Sequence, residues 1–248
     1  MLMNNERLMV DSSGEPLTIR RDGHPKAFIN QLLYRSSHDL CAPLKTITGL
    51  LNLIEQTDDS ALSAHCLDLI LLSLKKMQSL LQEVDQLVNN EERKVAASPI
   101  TFSNVMEDVL PSLQDSLRDK EIDLRVTINQ GVAFFGDRGR IQFSLMHMLS
   151  NAITFRDENK DELLIDVTIT TNQSHCIITI KDNGLGMNKA VQSKMFQPFF
   201  RGSERSKGAG LGLFVVNNLI EKVGGQIEVS SQPGLGSTFT VSIPNSVS

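Results

Sequence analysis

From Pro25 onward the apolar positions follow a helical period. Leu33, Ser37, Leu40, Leu44, Ile47, Leu51 and Ile54 alternate in steps of four and three, the spacing of a heptad seam. Thr57-Asp58-Asp59-Ser60 supplies turn and N-cap residues, which end one helix and begin another. Leu62, Cys66, Leu69, Ser73, Met77, Leu80, Val84 and Leu87 then form a second stripe. Two helices joined by a short turn make an antiparallel hairpin. One hairpin cannot enclose such a seam, whereas two hairpins paired as a four-helix bundle can. The pattern therefore predicts a homodimer. The alternative it leaves open is a helical linker packed on its own second domain.

After Ala96-Ala97-Ser98-Pro99 the pattern changes. Residues 103–120 predict a helix with Ser103 as N-cap and an interruption at Pro111. Residues 122–128 alternate like a strand, and residues 141–155 have helical spacing. Residues 163–170 and 176–181 predict neighbouring strands, 211–223 a helix, and 226–231 with 237–243 a final hairpin around Pro233-Gly234. Strands running together with helices interspersed indicate an α+β fold, a sandwich of one sheet with helices on one face. The expected divisions are residues 1–24, 25–96 and 97–248. The first is a turn-rich tail or the remnant of an upstream sensory module, the second the helical hairpin, the third the sandwich.

Composition narrows the partners. A formal net charge of −5 lacks the basic face that nucleic acid requires, and no Trp with one Tyr leaves few platforms for stacking bases. Cys41, Cys66 and Cys176 are far apart and without CxxC spacing, which points to free thiols in a reducing compartment. His65-Cys66 and His175-Cys176 have no second pair at zinc-finger spacing. The longest apolar run, residues 67–74, is broken by Asp68 and Ser73, and falls short of the roughly 20 residues that cross a bilayer. The first ten residues have no signal-peptide core. The expectation is a soluble, cytoplasmic protein, tied to a membrane only through an upstream segment outside this sequence.

Candidate chemistry lies in three glycine clusters. Asp182-Asn183-Gly184-Leu185-Gly186-Met187 directly follows a strand, where Asp182 offers an acceptor for the exocyclic amine of adenine. Gly208-Ala209-Gly210-Leu211-Gly212-Leu213 opens a helix whose free N–H groups suit phosphates. Gly234-Leu235-Gly236-Ser237-Thr238-Phe239 sits in the last hairpin. The second cluster fails the dinucleotide fingerprint, and GxxxxGK[ST] is absent. Asn151, one helix earlier, carries an amide oxygen able to ligate Mg²⁺, an ion that takes few protein ligands beside phosphates and water.

These motifs together resemble the sensor histidine kinases. His38-Asp39-Leu40-Cys41-Ala42-Pro43-Leu44 resembles their H-box, the segment around Asn151 their N-box, and residues 182–186 their first glycine box. Residues 195–201 (MFQPFFR) resemble the F-box, 208–213 the second glycine box and 234–239 the closing hairpin. The likeness runs from about Phe28 to Pro244. It implies a dimerisation and phosphoacceptor hairpin followed by a Bergerat-type (GHKL) ATP-binding domain, with ATP and Mg²⁺ as cofactors. Carried over by position, Asp182 binds the adenine amine and Asn151 the Mg²⁺. Gly184, Gly186, Gly208, Gly210, Leu211, Gly212 and Thr238 border the nucleotide. Residues 197–208 form a lid, with Arg201 a phosphate contact and Arg205 and Lys207 further candidates.

The resemblance further implies that His38 accepts the γ-phosphoryl group and that Asp39 is its general base. The phosphate then passes to an aspartate on the receiver domain of a response regulator. His38 follows Ser37 on the seam, so its ring is expected to be exposed, and Pro43 is expected to bend the helix nearby. Three positions depart from the family pattern. Ala42 stands where many members have Thr or Asn, which implies weak phosphatase activity. His147 replaces the first N-box asparagine, and Thr154 the phosphate-reaching lysine, with Arg156 a possible substitute. His147 and Thr154 are what a degenerate kinase-like scaffold would also show. A mechanochemical ATPase of the same nucleotide fold is the third reading, disfavoured by the His-Asp pair.

Overall fold

The computed structural model describes residues 25–246 except Glu204 and Lys207, with side chains from Asp39 onward except Glu91 and Glu92. The expected tail, residues 1–24, the expected exposure of the His38 ring and the role considered for Lys207 fall outside the described residues.

Helices α1 (Pro25–Glu55) and α2 (Ser60–Glu92) form the hairpin. Asp59 caps α2, its Oδ1 accepting from the N–H groups of Ala61 at 2.8 Å and Leu62 at 3.1 Å. Cys66, Ser73 and Leu80 are buried on the α2 stripe, while Ile47 and Ile54 of α1 are half-buried. Leu44 and Leu51, on the same seam, stay about half exposed, as do Leu67, Leu71 and Leu81. The single hairpin thus leaves an apolar face uncovered.

The chain continues through β1 (Ser98–Ile100), α3 (Phe102–Asp119), β2 (Ile122–Gln130), β3 (Phe134–Gly136), α4 (Arg138–Thr154), β4 (Leu163–Thr171) and β5 (His175–Asp182). It ends with α5 (Lys189–Gln192), α6 (Gly212–Lys222), β6 (Gln226–Gln232) and β7 (Gly236–Pro244). Five strands make one sheet in the order β2-β4-β5-β7-β6, antiparallel except for the β2–β4 pair. Period-two alternation turns Ile165, Val167 and Ile169 of β4 and Cys176, Ile178 and Ile180 of β5 into the core. There they meet Val105 and Val109 of α3, Leu145 and Leu149 of α4, and Val216 and Ile220 of α6. Thr168 and Thr170, on the other face, are exposed. This is the α+β sandwich that the pattern predicts, with a helical region ahead of it.

Two local expectations need correction. Helix α3 begins one residue before Ser103, with Thr101 at its N-cap position. Pro111 does not interrupt it. Proline removes the N–H that would bond to the carbonyl four residues earlier. That residue is Glu107, which with Pro111 lies on the exposed side of the helix, so water can satisfy the carbonyl. The short antiparallel pair β1–β3 was not foreseen, being only three residues per strand.

Candidate functional site

A cavity of about 490 Å³ opens between α4, the loop after β5, the segment before α6, the β6–β7 turn and α2. That volume lies within the roughly 300–1,000 Å³ of small-molecule sites. Of the expected site residues, Asn151, Asp182, Gly186, Gly208, Gly210 and Gly212 line it. Gly184, Arg201, Leu211 and Thr238 do not.

Asp182 ends β5 and is buried. Its Oδ1 accepts from the Gly184 N–H at 2.8 Å and the Ser237 N–H at 3.2 Å. Both donors fall on one oxygen, so Oδ2 takes no hydrogen bond from the described residues and can serve a ligand. Burial raises the pKa of this carboxyl, and the two backbone bonds and Lys160 oppose the rise. Lys160, which the sequence did not single out, donates to the carbonyls of Asn183 at 2.5 Å and Gly234 at 2.8 Å. It thereby ties the loop after β5 to the β6–β7 turn. Gly186 has φ +64, and a Cβ there would lie 1.9 Å from the Gln232 carbonyl oxygen, so only glycine fits.

The residues off the cavity act from behind it or elsewhere. Gly184 packs so closely that a Cβ would meet the Phe155 carbonyl oxygen at 2.4 Å. Thr238 follows Ser237 on β7 and pairs with Lys181 across the sheet. Leu211 is fully buried in a cluster with Leu80, Phe143, Val215 and Leu219. Arg201 donates to the Ser206 carbonyl within its own loop. Arg205 donates to the Arg156 carbonyl at 2.9 Å and lies 3.8 Å from Glu158.

Helix α4 presents His147 and Asn151 to the cavity one turn apart, on one face. The Asn151 amide makes no hydrogen bond to other described residues, leaving its oxygen for a hard cation. The His147 ring lies 4.4 Å from that of Phe143. Burial holds its pKa down to about 4, so it is neutral at pH 7. The Thr154 hydroxyl donates back to the Ser150 carbonyl at 2.8 Å, and Arg156 pairs with Glu158 rather than entering the cavity. Among the described residues, the one unforeseen acidic side chain in the lining is Glu83, from α2 of the hairpin. Its burial pushes the carboxyl up to about 7, against a hydrogen bond from Ser79. Glu83 sits beside the apolar stripe of α2, where a lone acidic residue carries no signal in sequence.

Residues 136–247 match the histidine kinase-, DNA gyrase B-, and HSP90-like ATPase family. The chain is 29% identical over 219 residues to the signal transduction histidine-protein kinase BarA of Escherichia coli K12. That alignment covers 85% of this chain and 24% of BarA. The chain is similar to the sensor histidine kinases beyond the ATPase segment as well. It spans about a quarter of BarA's length. Among solved structures, the histidine kinase AdeS of Acinetobacter baumannii aligns with a TM-score of 0.66 at 24% identity, over 85% of this chain and 98% of that one. The histidine kinase ThkA, solved in complex with the response regulator TrrA, aligns with a TM-score of 0.66 at 19% identity, over 89% and 63%. At such identities these two establish the shared fold of hairpin and sandwich. The free thiols expected at Cys41, Cys66 and Cys176 are unpaired, and no described helix is long and apolar enough to cross a membrane.

Proposed function

We propose that this chain is a kinase core that uses ATP to phosphorylate its own His38 and passes the phosphate to an aspartate on a response regulator. The observation that carries this reading is the cavity. It joins Asp182 and Asn151 of the ATPase-family segment to α2 of the hairpin, whose partner helix bears His38 and Asp39. Leu40, two residues beyond His38, packs against the cluster of Leu80, Leu211 and Val215, beside the opening of α6.

In this reading residues 25–96 are the dimerisation and phosphotransfer unit and 97–248 the ATP-binding unit, with 1–24 a tail or sensor remnant. Oδ2 of Asp182 accepts from the adenine amine, while the N–H groups opening α6 receive phosphate. The Asn151 amide oxygen fits Mg²⁺, which when bound offsets phosphate charge; a site needing no cluster of protein carboxylates suits that ion. One His38 ring nitrogen attacks the γ-phosphorus, forming an N–P bond as the bond to the bridging oxygen breaks and ADP leaves. Asp39 takes the proton from the other ring nitrogen. The exposed leucines of the hairpin support a homodimer, in which a second hairpin covers them. The ThkA–TrrA complex supports a receiver domain as partner.

The test is incubation with γ-labelled ATP and Mg²⁺, followed by acid and alkali treatment of the labelled protein. An acid-labile, alkali-stable label that disappears in His38→Gln is expected. Label that survives the substitution overturns the assignment, and nucleotide binding without any label favours the scaffold reading.

A further inference from the structure

Glu83 brings a carboxyl from the hairpin into the wall of the nucleotide cavity. It is 6% exposed, and its Oε2 has no hydrogen-bond partner among the described residues. Its other oxygen, Oε1, lies 3.7 Å from where a Cβ would stand on Gly212, the first residue of α6. His147 Nδ1 lies 3.0 Å from the same point. Glu83 therefore sits at the helix opening whose N–H groups suit a phosphate.

No Lys or Arg is among the described residues lining the cavity, where the titratable side chains are Glu83, His147 and Asp182. A negative ligand arriving at the α6 end meets one carboxyl group and no cationic side chain from these residues. The carboxyl is also held in place. Ser79, one turn earlier on α2, hydrogen-bonds to it, and Leu80, Val84 and Leu87 pack α2 against Val215 and Leu219 of α6.

We propose that Glu83 is a specificity-determining residue of the nucleotide site, which disfavours polyphosphate while α2 is docked on α6. The proposal rests on the ATP reading of the cavity and adds a penalty to it. Above about pH 7, where the Glu83 carboxyl is ionised, it repels a phosphate at the α6 opening; two like charges about 4 Å apart repel by about 1 kcal/mol in water and by several times that in a partly buried site. The coupling is reciprocal: a triphosphate that is weakened by docked α2 must loosen α2 to the same extent. Adenosine, which carries no charge to this end, escapes the effect.

Binding is measured by calorimetry at pH 8, where Glu83 is ionised, on the whole chain with Mg²⁺, for adenosine, ADP and the non-hydrolysable AMPPNP. The proteins are wild type, Glu83→Gln and Glu83→Leu, the leucine variant controlling for a new hydrogen bond from the glutamine amide. Both variants are expected to bind AMPPNP about tenfold more tightly, ADP with a smaller gain and adenosine unchanged. Hydrogen exchange over residues 80–87 of the wild type is expected to quicken with AMPPNP and not with adenosine. Equal changes for all three ligands, or none, overturn the proposal and leave ATP binding intact. Failure of all three proteins to bind any of the ligands overturns the ATP reading itself, and this proposal with it.

Discussion

The Nε of Arg140, at the start of α4, donates to the Oδ1 of Asn90, near the end of α2, at 2.8 Å, so that one buried guanidinium spans the boundary between hairpin and sheet. The same guanidinium donates to the Arg93 carbonyl at 3.0 Å and pairs with Asp137, whose Oδ2 also accepts from the Ala96 N–H at 3.2 Å. Asn90 in turn donates to the Asn218 carbonyl of α6 at 3.2 Å. Removing the cation strands the Asp137 carboxylate in a buried position. Arg140→Met should therefore cost about 3–5 kcal/mol of folding free energy, and Asn90→Ala about 1–3 kcal/mol. Urea unfolding of the two variants checks both values. Losses below half a kcal/mol for Arg140→Met would show that the network is not holding the joint.

Asp182→Asn tests the proposed contact with adenine. The substitution keeps the shape and exchanges a charged acceptor for an amide, while the Gly184 and Ser237 N–H groups that held Oδ1 lose their carboxylate. A hydrogen bond to a charged group contributes about 1.5–3 kcal/mol, so nucleotide affinity should fall roughly 10- to 100-fold. Titration with a fluorescent ATP analogue measures the fall, and an unchanged affinity would remove Asp182 from the site.

Stability should depend on pH through Glu83. Burial raises this carboxyl from 4.5 to about 7 in the folded arrangement, so the packed state holds a proton that an undocked α2 releases more readily. The group's contribution is full below pH 4.5, declines as pH rises through about 7, and amounts to on the order of 3 kcal/mol across that window. The groups facing it are neutral His147 on α4, the Ser79 hydroxyl and, across the cavity, Asp182. Thermal melts at pH 5 and pH 8 should show the wild type losing more stability than Glu83→Gln. Parallel losses in the two proteins would mean that Glu83 does not titrate in this window.

Ala42 is exposed on α1, four residues after His38, and offers no hydroxyl or amide to orient water. Ala42→Thr should therefore raise the rate at which the protein dephosphorylates a phosphorylated partner regulator, with self-phosphorylation little changed. Loss of phosphate from the regulator over time is the readout. Rapid dephosphorylation by the unaltered protein would contradict the weak phosphatase activity expected of Ala42.

The hairpin and the glycine-bordered cavity were legible because their signals are local. A heptad stripe, an Asp59 cap or an Asp182-x-Gly184 turn is specified within a few residues. What escaped depends on partners far apart in sequence. Glu83 and Asn90 are seven residues apart on α2 and so share a helix face, yet that face is defined only by its contact with α4 and α6. Lys160 looks like an ordinary surface lysine until Asn183 and Gly234 are brought to it. Pro111 misled for the opposite reason: a strong local signal was overridden because its unbonded carbonyl partner faces water.

The strand order has a consequence for synthesis on the ribosome. β7 comes last in sequence but pairs with both β5 and β6 inside the sheet. Until residues 236–244 have emerged, β5 presents a bare edge of unpaired backbone groups, a template for pairing with other nascent chains. The same delay governs the binding site, since the Ser237 N–H that holds Asp182 arrives with β7. A growing chain can therefore complete its hairpin early, but it cannot hold a nucleotide until translation is nearly through the final strand.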